Sequence, residues 1–244
     1  ELLILVDALK RASADRITAV IPYYGYARQE KKDAPREPIT AKLVADILTT
    51  AGANRVVTID LHADAIQGFF NIPVDHLTAL SMFCKYFKDK DLKDMVIVSP
   101  DEGRVKKVRE VVARLNAPLA VCYKHHPDHQ VTEVTHLAGD VRGKTPIIIE
   151  DIISTGGSIM ECVDALLANG CNPEIYVGAT HPVFTGAAYE RLNRPEIKEV
   201  VVTDTIPIHA DKATDKFKIL SVAPLLGEAI RRVHENESIN SLFR

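Results

Sequence analysis

The sequence predicts an α/β protein built from parallel sheets that are covered by helices. Short β-branched runs alternate along the chain with segments whose apolar residues recur at helical spacing, which is the βαβα order of parallel sheets. Polar residues gather where the predicted strands stop, as at IDLHAD, VSPDEG and IIEDIISTGG. Because ligands of open α/β sheets bind beyond the carboxyl ends of strands, this pattern also indicates where a site should lie.

Each element is identified by its own pattern. Strands are β-branched runs such as ITAVIP and MVIVSP, helices are amphipathic segments such as GRVKKVREVVARLN, and the opening ELLILVDALKRASA also has helical spacing. The predicted strands are residues 17–22, 55–61, 95–100, 118–124, 145–151, 174–181 and 198–204. The predicted helices are residues 38–53, 78–89, 103–116, 157–169, 184–192 and 223–235.

Two similar domains are expected, because the strand ends Asp60-Leu61-His62 and Pro100-Asp101 lie in separate βα alternations. The predicted domains are residues 1–80, residues 81–228, and a C-terminal tail of residues 229–244 that could pack back on the first domain. The chain opens without Met inside a helical pattern. We therefore expect residues upstream to be absent and the first domain to lack its start.

Composition excludes several classes of protein. The formal net charge of −3 argues against a nucleic-acid surface, and neither an apolar run of membrane length nor a signal-peptide pattern is present. The four cysteines show no CxxC spacing, which argues against structural zinc and fits a reducing compartment. We expect a cytoplasmic protein with small-molecule ligands.

The most informative stretch is TPIIIEDIISTGGSIMECVDALL, residues 145–167, in which a strand delivers Glu150 and Asp151 just before a turn. The turn, called the glycine turn below, consists of Ser154, Thr155, Gly156, Gly157 and Ser158. Amides at a helix N-terminus can bind a phosphate, and carboxylates accept hydrogen bonds from sugar hydroxyls. The stretch predicts a sugar-phosphate site. The alternative is an N-cap at Ser154 or Thr155 with exposed acids.

This strand, acid pair and turn resemble the phosphoribosyl diphosphate loop of type I phosphoribosyltransferase folds. The segments YYGYARQEKKDAPREPITAKLVADIL, VVTIDLHADAIQGFFNIPVDHL, VVVTDTIPI and LSVAPLLGEAIRRVHENESINSLF resemble the ribose-phosphate diphosphokinase family, and the resemblance covers essentially all 244 residues. It implies two phosphoribosyltransferase-like (Rossmann-like) α/β domains, the first truncated at its N-terminus.

The resemblance also implies an activity. That family transfers the β,γ-diphosphoryl group of ATP to the anomeric hydroxyl of ribose 5-phosphate, with Mg²⁺, in nucleotide biosynthesis. Its members form homo-oligomers, commonly hexamers built from dimers, with nucleotide effectors bound between subunits. The implied ribose 5-phosphate ligands are Glu150, Asp151, Ser154, Thr155, Gly156, Gly157 and Ser158. For the nucleotide, the resemblance implies Arg28, Gln29 and His62. It implies His62 and Asp101 as Mg²⁺ ligands, and Lys124 and Arg28 as catalytic residues.

Physical chemistry supports these roles, but several of the residues also have a purely structural explanation. Diphosphoryl transfer needs positioning and cationic neutralisation, and Mg²⁺ takes few protein ligands. His62 is an unusual ligand for this hard ion, and its alternative is a hydrogen-bonded core histidine. Asp101 has the alternative of an N-cap, and Arg28 that of an ordinary surface charge. His125, His126 and His129 also suggest a metal cluster, against which their irregular spacing argues.

The chain departs from the family pattern at several positions. Glu150 replaces an aspartate, Ser154 an aspartate and Ser158 a threonine, each keeping a polar group. Arg104 replaces a glycine and would crowd or reinforce the phosphate side, and His126 replaces a catalytic-loop arginine. These changes keep a catalytically weak regulatory paralogue as one alternative. A phosphoribosyltransferase is another, although it would not explain DLHAD, ARQ and the second domain.

Overall fold

The computed structural model describes residues 1–125 and 134–243. The chain divides into two compact units, unit 1 with residues Glu1–Thr78 and Ala223–Arg244, and unit 2 with residues Ala79–Val222. Mostly parallel sheets flanked by helices confirm the predicted α/β class. Among the described residues, no helix is long and apolar enough to cross a membrane.

Unit 1 contains a three-stranded parallel sheet of order β1-β2-β3. Its strands are β1 (Thr18–Ile21), β2 (Arg55–Ile59) and β3 (Val74–Leu77), and its helices are α1 (Leu2–Arg11), α2 (Thr40–Ala51) and α7 (Ala223–Glu235). Two 3₁₀ segments, Asp64–Phe69 and Asn240–Phe243, complete the unit. Its core joins β2, the buried face of α2 and the ring of Tyr24.

Unit 2 contains a seven-stranded sheet of order β10-β9-β8-β7-β4-β5-β6, parallel except for β6 against β5. Its strands are β4 (Met95–Ser99), β5 (Leu119–His125), β6 (Val134–Ala138), β7 (Thr145–Ile153), β8 (Ile175–Pro182), β9 (Ile197–Thr203) and β10 (Phe217–Leu220). Its helices are α3 (Leu80–Asp89), α4 (Val105–Leu115), α5 (Gly157–Ala168) and α6 (Ala188–Leu192), with a 3₁₀ turn at Glu102–Arg104. The central strands β7 and β8 are buried almost throughout, as expected for parallel strands covered on both faces.

The structure corrects the predicted elements at several places. The helix predicted over 184–192 spans only α6, because Phe184 and Gly186 have positive φ and interrupt its first turn. The strand predicted over 145–151 continues to Ile153, so Glu150 and Asp151 lie inside β7 and not at its end. Strands β3, β6 and β10 were not predicted, because each has only four or five residues and little apolar alternation.

Candidate active site

The carboxyl edge of the unit 2 sheet brings two polar segments together. Strands β4 and β7 are parallel neighbours, with Val98 paired to Ile148. The segment Pro100–Arg104 after β4 therefore lies beside the acids of β7, although some 50 positions separate them in sequence. The 3₁₀ turn after β4 then directs the Arg104 side chain onto those acids.

Glu150 and Asp151 are buried and share one arginine. Their side chains are 9% and 4% exposed, and the Arg104 side chain is 12% exposed. Arg104 Nε lies 3.0 Å from Glu150 Oε1, and Arg104 Nη1 lies 2.5 Å from Asp151 Oδ2. The Asp151 amide also donates to Glu150 Oε1 at 2.9 Å. Removing one partner of such a buried pair costs about 3–5 kcal/mol, so Arg104 is an integral part of this edge.

The electrostatics of this triad follow from burial and charge. The pKa of Glu150 is raised to about 8: burial is the main cause, the positive charge of Arg104 opposes it, and the carboxylate of Asp151 adds to the rise. Burial works against the charge of Arg104, but Glu150 and Asp151 keep the pKa of this guanidinium above its ordinary value. Arg104 thus opposes protonation of the carboxylates that were predicted to accept sugar hydroxyls.

The glycine turn keeps backbone donors available. Helix α5 begins at Gly157 with Gly156 as its N-cap, and no side chain caps it. The predicted alternative was an N-cap at Ser154 or Thr155 with exposed acids; the structure has Gly156 at the N-cap position and buried acids, and Thr155 Oγ1 accepts from the Gly157 amide at 3.4 Å. Within the described residues, the amides of Thr155, Gly156 and Ser158 donate to no protein acceptor. Gly156 has φ +74°, a left-handed conformation that disfavours a larger side chain.

Two residues outside the glycine turn, Thr185 and Arg191, bond to it and hold it in place. The Ser154 carbonyl accepts from the Thr185 amide at 3.0 Å, and the two hydroxyls of these residues lie 3.0 Å apart. Arg191 Nη1 donates to the Thr155 carbonyl at 2.8 Å. Sequence analysis missed Arg191, because a helix as short as α6 carries no local signal that links it to the turn.

Asp101 acts as an N-cap, which was the predicted alternative to its role as a Mg²⁺ ligand. Its Oδ1 accepts from the Arg104 amide at 3.0 Å and caps the 3₁₀ turn, while its Oδ2 lies 3.7 Å from Arg104 Nε. The side chain remains half exposed. The cap does not exclude a metal role, because a carboxylate has a second oxygen to offer.

In unit 1, the loop after β2 is organised by internal bonds. Asp60 has φ +40°, and its Oδ1 accepts from the Thr78 hydroxyl at 2.8 Å. The Leu61 amide donates to His76 Nε2 at 2.8 Å, so a histidine of β3 helps to hold this loop. His62 itself is half-buried in the same loop.

The remaining predicted residues differ in how far the structure describes them. Arg28 and Gln29 are exposed in the loop after β1, which Tyr24 anchors by donating its hydroxyl to the Ala41 carbonyl at 2.8 Å. The backbone of Lys124 pairs with Thr135 across β5 and β6, and nothing is described of its side chain. His126 and His129 lie outside the described residues, so the proposed histidine cluster is not described. Across residues 1–125 and 134–243, no group of three or more His, Cys, Asp or Glu side chains is arranged to hold a metal.

Comparison with known proteins identifies the family. Residues 1–52 match the N-terminal domain of ribose phosphate pyrophosphokinase, and residues 127–244 match the phosphoribosyl synthetase-associated domain. The ribose-phosphate pyrophosphokinase of Caldanaerobacter subterraneus is 56% identical over 244 residues, covering all of this chain and 77% of that protein. The chain belongs to the ribose-phosphate pyrophosphokinase family. The Bacillus subtilis ribose-phosphate pyrophosphokinase is 54% identical over 243 residues and 76% of its length.

A solved structure agrees with the assignment. Phosphoribosylpyrophosphate synthetase from Mycobacterium smegmatis superposes with a TM-score of 0.90 at 47% identity, over 96% of this chain and 76% of that one. The resemblance seen in the sequence is therefore confirmed, and with it the expected enzyme class, a kinase-type transferase of nucleotide biosynthesis. The same relatives favour this assignment over a regulatory paralogue or a phosphoribosyltransferase.

Proposed function

We propose that this chain transfers the β,γ-diphosphoryl group of ATP to the anomeric hydroxyl of ribose 5-phosphate, and that the sugar binds at the carboxyl edge of the unit 2 sheet. The products are 5-phosphoribosyl 1-diphosphate and AMP. One observation supports the placement of the sugar: two buried carboxylates, Glu150 and Asp151, precede a turn in which three amides, those of Thr155, Gly156 and Ser158, have no acceptor among the described residues.

The glycine turn supplies the phosphate ligands. Thr155, Gly156 and Ser158 offer backbone N–H groups at the start of α5, where the helix dipole also favours an anion. The hydroxyls of Ser154 and Thr155 and the backbone of Gly157 complete the proposed contacts. Arg191 adds a positive charge beside the Thr155 carbonyl.

The acids supply the sugar ligands. A carboxylate accepts strong hydrogen bonds from hydroxyl groups but repels phosphate, so Glu150 and Asp151 would bind the vicinal hydroxyls and not the 5-phosphate. The extra methylene of Glu150 extends its carboxylate while retaining the acceptor role. This arrangement fixes the orientation of the sugar, with its phosphate on the turn and its hydroxyls on β7.

Mg²⁺ fits the residues that are present. Asp101 keeps Oδ2 at 3.7 Å from the nearest guanidinium nitrogen and is half exposed, which suits an ion that binds one carboxylate and otherwise keeps water and phosphate oxygens. His62 is the second proposed metal ligand, and it would also contact the nucleotide. The ion would supply neutralisation of the charge on the ATP phosphates.

The transfer step requires in-line geometry and cationic groups. The anomeric oxygen forms a bond to the β-phosphorus, the bond from that phosphorus to the oxygen bridging to the α-phosphate breaks, and AMP leaves with the bridging oxygen. The hydroxyl proton is released as the new bond forms. Arg28 and Gln29 would contact ATP, and Arg28 and Lys124 would neutralise the diphosphoryl group as it transfers.

The proposal extends to assembly and location on the strength of the family. We propose that this chain forms homo-oligomers, namely hexamers built from dimers, and that nucleotide effectors bind between subunits. We also propose a cytoplasmic location and two domains divided near residues 77–81. Size determination in solution with and without added nucleotide would test the assembly.

The decisive experiment for the reaction measures AMP release from ATP with and without ribose 5-phosphate. AMP that depends on ribose 5-phosphate supports the synthetase, and its absence contradicts it. Release of diphosphate from 5-phosphoribosyl 1-diphosphate only when a nucleobase is added would support the phosphoribosyltransferase instead.

Lys124→Ala tests the catalytic assignment. The positive charge of Lys124 would stabilise the diphosphoryl group during transfer. Its loss should therefore lower kcat far more than the affinity for ribose 5-phosphate. Steady-state kinetics and equilibrium binding of ribose 5-phosphate separate the two quantities. A change confined to sugar affinity would contradict the role.

A further inference from the structure

Arg104 occupies the atoms that the sugar needs. Its Nε contacts Glu150 Oε1 at 3.0 Å and its Nη1 contacts Asp151 Oδ2 at 2.5 Å. These two N–H groups are neighbours on one planar group, much as two vicinal hydroxyls are neighbours on a sugar ring. Both sets of groups are donors, and a carboxylate is an acceptor. The guanidinium therefore resembles the pair of hydroxyls in what it offers to the acids.

We propose that Arg104 is a built-in competitor of ribose 5-phosphate, whose guanidinium must leave Glu150 and Asp151 before the sugar hydroxyls can bind them. This inference rests on the proposed function, because it takes the two acids as the sugar ligands. Arg104 acts as a specificity-determining residue: ribose replaces both of its charge-assisted hydrogen bonds, whereas beside a sugar that lacks one hydroxyl the guanidinium can keep its bond to the acid left vacant.

The local geometry allows this exchange without unfolding. Arg104 is the last residue of the 3₁₀ turn, and its amide is held by Asp101 Oδ1 at 3.0 Å. The backbone can therefore stay in place while the side chain rotates. A displaced guanidinium would still lie at the edge where phosphate groups are proposed to bind, and Arg binds phosphate oxygens well.

The experiment compares ribose 5-phosphate with 2-deoxyribose 5-phosphate, which carries the same phosphate and lacks one hydroxyl. Dissociation constants for both are measured without ATP by calorimetry, for the full chain and for Arg104→Met, and their ratio is the readout. The ratio cancels the general loss of a positive charge, which weakens both ligands alike. Removal of the competitor should increase the preference for ribose by about tenfold, which corresponds to about 1.4 kcal/mol.

Further variants keep the result interpretable. Arg104→Gly replaces Arg104→Met if the latter fails to give a cooperative thermal transition. Arg104→Lys retains the charge without the planar fork and should give an intermediate ratio. Arg191→Met is the matched control, since Arg191 contacts the Thr155 carbonyl and not the acids, and it should leave the ratio unchanged. A ratio that stays the same or falls in Arg104→Met and Arg104→Gly would overturn the competitor role.

A double variant distinguishes failure of this inference from failure of the proposed function. Asp151→Asn is introduced into Arg104→Met, where no competitor is present. Weaker binding of ribose 5-phosphate supports Asp151 as a sugar ligand whatever Arg104 does. Unchanged binding of both sugars would overturn the sugar site itself, and the competitor role with it.

Discussion

The strand ends of β2 in unit 1 and β7 in unit 2 look alike in sequence, but the structure satisfies their polar groups differently. After β2, the Asp60 carboxylate accepts from Thr78 and the Leu61 amide donates to His76. After β7, amides of the glycine turn have no acceptor among the described residues. Polar residues at the end of a strand can thus shape a loop or bind a ligand. The difference lies in whether the protein already provides their partners.

Backbone strain also differs between the loop after β2 and the turn after β7. Asp60 is a non-glycine residue at φ +40°, and the bonds around it maintain that conformation. Gly156 at φ +74° adopts a left-handed conformation at little cost, and its amide donates to no acceptor among the described residues. Substitution of Asp60 or of its loop partner His76 should therefore mainly affect stability, whereas substitutions after β7 should mainly affect sugar binding.

The largest effect is expected for Asp151→Asn. Losing a charge-assisted hydrogen bond to a sugar hydroxyl costs about 2–3 kcal/mol, so kcat/KM for ribose 5-phosphate should fall about 30- to 150-fold. AMP formation measures the loss. Asp164→Asn on α5 is the matched control, since Asp164 is exposed and pairs with Arg194, and it should change kcat/KM less than about twofold. Equal losses in both variants would contradict a specific role for Asp151 in sugar binding.

His76→Phe tests the other side of the comparison. The buried Leu61 amide would lose its acceptor, which should lower the free energy of unfolding by about 1–3 kcal/mol. Denaturant titration measures this loss, and the dissociation constant of ribose 5-phosphate should stay unchanged. A His76→Phe protein of unchanged stability with weakened ribose 5-phosphate binding would contradict the structural role of His76.

How much of this was predictable depends on the range of the interaction. Glu150, Asp151 and the glycine turn are separated by only Ile152 and Ile153, so the local pattern was enough to predict the sugar-phosphate role now proposed for them. The contact of Arg104 with the acids depends on β4 and β7 being sheet neighbours, which local pattern does not specify. Strand β3, with its sequence VDHL, also escaped prediction, because its polar residues find their partners only in the folded unit.

Arg191→Met should have a smaller effect on the use of ribose 5-phosphate than Asp151→Asn. Loss of its bond to the Thr155 carbonyl loosens the turn and removes a positive charge near the phosphate, so KM for ribose 5-phosphate should rise about tenfold with kcat nearly unchanged. Arg194→Met is the control, since the Arg194 side chain contacts Asp164 and Glu196. A fall in kcat without a change in KM would contradict the positioning role.

The smallest effect is expected at the surface of unit 1. Hydrogen bonds from Arg231 and Arg232 lower the pKa of Glu228 to about 2. A lowered pKa in the folded state stabilises the protein above the ordinary Glu value, and this contribution disappears as pH falls from about 4.5 towards 2. The stability difference between wild type and Glu228→Gln should therefore be small at pH 7 and vanish in acid. A difference that grows in acid would contradict this sign, and added salt should shrink the difference.

The most direct measurement is a crystal structure of the chain with ribose 5-phosphate. The account predicts phosphate oxygens within about 2.7–3.2 Å of the Thr155, Gly156 and Ser158 amides, and sugar hydroxyls on Glu150 and Asp151 in place of Arg104. A sugar phosphate bound elsewhere, with those amides still without a ligand, would contradict it.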